Sequence, residues 1–127
     1  MYGYVKVGSA VPKLRVADCV YNKEEILKLV EAAAAKQVRV LSFPELSVTG
    51  YTCADLFFQA PLLHAAEQAI QEIAEATEAL NIFLLIGAPI AVDNQMFNCA
   101  VALYKGKLLG IVPKTHIPNY SEFYEER

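Results

Sequence analysis

The sequence has no tryptophan, two histidines and three cysteines. Cys19, Cys53 and Cys99 are odd in number and show no CxxC spacing, so neither a disulfide framework nor a thiolate zinc site is expected. His64 and His116 share no ligand-like spacing with them, and no metal is expected. Basic charge is in deficit. The formal net charge is −3, which argues against a surface that tracks phosphates and therefore against nucleic acid as a partner. No apolar run approaches the ~20 residues that cross a bilayer. Met1 is not followed by a basic and then an apolar signal segment, so the expectation is a cytoplasmic protein with no membrane partner. Phosphate-binding loops are missing too: there is neither GxxxxGK[ST] nor an SGGxDS-like run, and no cofactor-binding residue is expected in this segment.

What is present suits a packed α/β protein. The 127 residues are 55% hydrophobic and 20% charged, enough chain for one core and the wrong composition for disorder. Tyr4 to Val11 reads as a first strand ended by Pro12, and a loop without clear periodicity follows, with Cys19 in it. Asn22 is expected as the N-cap of a helix, with Glu25 completing a capping box. Ile26, Leu29, Val30, Ala33 and Ala34 share one helical face, and the helix ends near Gln37. Val38 to Phe43 is a second strand. A long helix opens at Pro61, with the stripe Leu62, Leu63, Ala66, Ala69, Ile70, Ile73, Ala74, Thr77 and Leu80, and Asn81 stops it. Ile82 to Ile86 is nearly all apolar and reads as a strand covered on both faces, closed by Gly87-Ala88-Pro89. Asn98 to Tyr104 and Lys107 to Val112 flank Lys105-Gly106 as a hairpin. The order of elements argues for α/β layers around a mixed sheet.

Two charges stand directly after strands. Pro44 stops the second strand, because proline removes a ladder donor, and Glu45 follows where strand gives way to loop. Groups at the carboxyl ends of strands are where α/β proteins place their chemistry. Spacing alone leaves Glu45 as a solvated loop carboxylate. Lys114 after the last hairpin strand reads likewise as a solvated lysine. Motif context changes both. Phe43-Pro44-Glu45-Leu46-x-x-Thr49-Gly50-Tyr51 resembles the glutamate motif of the nitrilase superfamily of carbon–nitrogen hydrolases, which cleave amides and nitriles with a Glu, a Lys and a Cys. Lys114 fits the spacing of the second motif, in the right order.

The flanks narrow the likeness. Asp55-Leu56-Phe57 behind the first motif, and Lys114-x-x-x-Pro118-Asn119-Tyr120-x-x-Phe123-x-Glu125-x-Arg127, resemble the amino-terminal glutaminase domains of glutamine-dependent NAD synthetases. The resemblance covers residues 1–127 as the first half or so of such a domain, ending before the cysteine nucleophile. It implies part of a nitrilase-like α-β-β-α sandwich. Catalytic roles fall to Glu45 as general base and Lys114 on the oxyanion side. Tyr51 and Tyr120 match residues lining the glutamine pocket, and Glu125 matches a supporting carboxylate. On their own residues, Tyr51 could simply cover a loop and Tyr120 could cap the core. Implied partners are glutamine, a downstream synthetase domain that uses ATP and magnesium, and further copies in a homo-oligomer.

Cys53 lies in the same loop as Glu45 but precedes the lysine, opposite to the family order. It is expected to be structural, like Cys19 and Cys99. A stand-alone amidase of the ω-amidase or carbamoylase type remains an alternative, as does a non-catalytic binding module if the chain is complete.

Overall fold

The computed structural model describes residues 3–50, 60–93 and 95–114. Along them run β1 (Val7–Ser9), α1 (Cys19–Ala35), β2 (Val40–Ser42), α2 (Ala60–Ala76), β3 (Phe83–Val92), β4 (Gln95–Tyr104) and β5 (Lys107–Pro113). The strands form one sheet in the order β1-β2-β3-β4-β5. The first three are parallel, and β4 and β5 add antiparallel. This is the mixed sheet and the α/β class read from the sequence.

The two parallel connections step across the sheet in one direction. Right-handed crossovers then place α1 and α2 on the same face, where they pack against each other. Ile26 and Val30 of α1, Ala66 and Ile73 of α2, and Leu84, Ile86, Val101 and Leu103 of the sheet fill the core between them. Cover on both faces of β3 was expected from its apolar run. Among the described residues the helices cover only one, and the site described below lies on the other.

β3 does not close at Gly87-Ala88-Pro89 but runs on to Val92 as a long hairpin with β4, which starts at Gln95 rather than Asn98. Proline is tolerated here for a geometric reason. The odd-numbered residues of β3 address the β2 side, since Leu85 O and Gly87 O accept from Phe43 N and Val48 N. The N–H that Pro89 lacks therefore belongs to a ladder that has already ended, and the pairing with β4 loses nothing.

α1 also begins elsewhere than expected. Asp18 is its N-cap, accepting from Tyr21 N at 3.0 Å. Asn22 is therefore a buried residue of the first turns and not a cap. Glu25 pairs with Lys28 at 2.8 Å instead of closing a capping box, and Cys19 is helical and buried rather than in a loop. The C-terminus is where the sequence puts it. Gln37 adopts φ 66°, while Val38 N and Gln37 N donate to Ala33 O and Ala34 O, a left-handed cap.

β1 is shorter than the Tyr4–Val11 run, and β2 occupies only the centre of Val38–Phe43. α2 buries Leu62, Ala66, Ala69, Ile73 and Ala74, five of the predicted stripe. Lys105 and Gly106, with φ 49° and 83°, form the expected tight turn of a type that matches the strand twist. No described helix is long and apolar enough to cross a membrane.

Candidate active site

Glu45 sits on an extrusion from the β2–β3 ladder. Phe43 N donates to Leu85 O at 2.9 Å, and a regular parallel ladder would next bring Glu45 N to Gly87 O. Val48 N makes that bond instead, at 3.1 Å. Glu45, Leu46 and Ser47 are thus pushed out of register over the middle of β3. Leu46 takes a left-handed conformation, φ 52°, and its side chain is buried in the core. Glu45 is turned the opposite way, its side chain 46% exposed.

Gly87 lies directly beneath this extrusion. A Cβ there would collide with Leu46 N and would stand 2.6 Å from Pro44 O and 2.8 Å from Glu45 C. Ser47 fastens the loop, its Oγ accepting from Gly87 N at 3.3 Å. The far end is held by Asn22. Its Nδ2 donates to Val48 O and Arg15 O at 2.9 and 2.8 Å, and its Oδ1 accepts from Arg15 N at 2.7 Å. Ala17 N donates to Thr49 O alongside.

Lys114 reaches the same point from β5. Its Nζ donates to Glu45 Oε1 at 3.0 Å and Oε2 at 3.1 Å. Asn98 of β4, 3% exposed, donates from Nδ2 to Glu45 Oε2 at 3.2 Å, and its backbone O accepts from Lys114 N at 2.8 Å. A half-exposed ion pair contributes only about 0–1 kcal/mol to stability. Stability therefore does not explain why three strands converge on this pair.

The pair borders a cavity of about 250 Å³, with Phe43, Leu85, Ala100 and Val112 among its apolar walls. That is below the ~300–1,000 Å³ typical of pockets for drug-sized ligands and gives room for a small amide. A larger cavity of about 360 Å³ lies between α2 and β5, walled by Ile70, Ala74, Val101, Leu103, Leu108 and Ile111. Among the described residues lining it Glu67 is the one charge, with no cation opposite, so the smaller cavity is the candidate for chemistry.

Cys99 also borders the smaller cavity, but its thiol lies 3.6 Å from Phe97 O, and burial pushes its pKa up. A nucleophile needs the reverse shift. Among the described residues no three His, Cys, Asp or Glu side chains group as metal ligands.

The structure thus brings Glu45 and Lys114 together, as the motifs imply. Tyr51, Tyr120, Glu125 and Cys53 lie outside the described residues. Sequence reading missed Asn98, Gly87 and Asn22. The first two carry no local signal, being a strand residue and a strand glycine whose meaning depends on partners far along the chain. Asn22 carries a local signal, but the same signal marks an N-cap.

Residues 6–127 match the model of the carbon-nitrogen hydrolase family. The chain belongs to that family. A glutamine-dependent NAD(+) synthetase of Mycobacterium leprae is 35% identical over 125 residues, 98% of this chain and 18% of the relative. The crystal structure of a glutamine-dependent NAD(+) synthetase from Cytophaga hutchinsonii superposes with TM-score 0.85 at 29% identity, over 91% of this chain and 20% of that one. An amidase from Nesterenkonia sp. shares the fold, with TM-score 0.73 at 22% identity over 90% of this chain and 44% of its own. The chain spans about a fifth of the length of the synthetases it matches.

Proposed function

We propose that residues 1–127 form the amino-terminal part of the glutaminase domain of a glutamine-dependent NAD synthetase. In this reading Glu45 is the general base and Lys114 stabilises the oxyanion. The observation that carries it is the contact of Lys114 Nζ with both Glu45 oxygens at the mouth of a small cavity.

Thiol-dependent amide hydrolysis needs a base to take the thiol proton, hand it to the leaving ammonia and later activate water on the thioester. A carboxylate serves each of those steps in turn. The tetrahedral intermediate needs a positive donor at its oxygen, and an ammonium next to the base supplies it. The nucleophile is assigned to a cysteine after the lysine motif, beyond these residues, and Tyr51, Tyr120 and Glu125 are assigned to the glutamine pocket and its support. The freed ammonia serves the ATP- and magnesium-dependent amidation of nicotinic acid adenine dinucleotide, in a separate synthetase domain. A cytoplasmic location and a homo-oligomeric assembly go with this reading.

Glutamate release and NAD formation from glutamine by the full-length protein test it. Both are expected, with residues 1–127 alone inactive. Amide hydrolysis with no ATP-dependent NAD formation would instead indicate a stand-alone amidase, and glutamine binding without hydrolysis a binding module. Glutamate release by residues 1–127 that Cys53→Ala abolishes would move the nucleophile to Cys53.

A further inference from the structure

Glu45 and Lys114 are long side chains at the ends of different strands, and both are partly exposed. An exposed carboxylate samples several rotamers, and the catalytic use proposed above tolerates displacements of well under an ångström. The anchor that touches both groups is Asn98. It is buried on β4, which is paired on one side to β3 and on the other to β5. It faces Pro89 in the register with β3. Its side chain reaches Glu45 Oε2, and its carbonyl extends the β4–β5 ladder by one bond, to Lys114 N.

We propose that Asn98 is the positioning residue of this site, setting the separation of Glu45 and Lys114 by holding the first through its carboxamide and the second through its backbone. The inference rests on the functional reading above. The chemistry of the group suits the role. A carboxamide donates to a carboxylate without charge, so it does not compete as a second cation for the oxyanion. When the Lys114 ammonium turns from Glu45 to the developing negative charge, the Asn98 N–H keeps the carboxylate from swinging after it.

Two substitutions in the full-length protein separate this role from packing. Asn98→Ala removes the donor. Asn98→Asp keeps the shape, removes the donor and turns a second negative charge toward Glu45. Expected is a fall in kcat for glutamine hydrolysis of about 10–100-fold for Asn98→Ala and a larger one for Asn98→Asp, with KM changed by less than about threefold. A side chain that merely fills space gives the opposite order, with Asn98→Asp close to native, and that result overturns the proposal. The side-chain amide resonances of Asn98 supply a readout independent of turnover, since they are expected to move in Glu45→Gln. Unmoved resonances in an active enzyme overturn the positioning role alone. A native protein with no glutaminase activity overturns the functional reading and takes this role with it.

Discussion

Gly87→Ala is expected to cost about 3 kcal/mol of stability and about a hundredfold in glutamine turnover. The three atoms nearest the added methyl are all backbone: Leu46 N, Pro44 O and Glu45 C. Rotating a side chain does not relieve those contacts, so the extrusion must lift. Lifting it breaks the Ser47 and Val48 bonds to Gly87 and moves the Glu45 carboxylate away from Lys114 and Asn98. Gly110 supplies the control. It lies in β5, where no atom of the described residues comes within 4 Å of an added Cβ, and Gly110→Ala is expected to change stability by less than about 0.5 kcal/mol. Urea midpoints and glutamate-release rates for the two variants check the pair. Equal, near-native behaviour at both positions would mean that the Glu45 loop does not rest on Gly87.

Asn22→Ala is expected to destabilise the protein by about 3 kcal/mol or more, because several backbone groups lose a partner at once. Arg15 N, Arg15 O and Val48 O all bond this one fully buried carboxamide. Asn22→Asp is no rescue. A carboxylate has no donor for the two carbonyls and would carry a buried charge among backbone partners. Thermal or urea unfolding measures the loss, and a change in either variant below about 0.5 kcal/mol would remove Asn22 from the framework of the Glu45 loop.

Both effects concern positions whose importance is not local, and this marks how far the sequence could be read. Helical stripes, the Lys105-Gly106 turn and the apolar strands are short-range patterns, and they gave the α/β class with a mixed sheet. The motifs around Glu45 and Lys114 gave the family, and the structure places the two side chains in contact. What stayed hidden depends on register. Pro89 read as a strand end because only the pairing shows that its missing N–H faces an expired ladder. Asn22 looked like a cap because Asn often is one, whereas Asp18 was available four residues earlier and took the position. Asn98 looked like an ordinary first residue of a strand, and Glu45 and Lys114, which it bonds, lie in different parts of the chain.

The most direct measurement is the rate of glutamate release from glutamine by the full-length protein carrying Glu45→Gln, Lys114→Met or both. Each single variant is expected to lose about 10³-fold in kcat while keeping its fold. The double variant is expected to be little worse than either, because in the proposed mechanism the two groups act on one transition state. Near-native hydrolysis by either single variant would contradict the assignment of Glu45 and Lys114 as the catalytic pair.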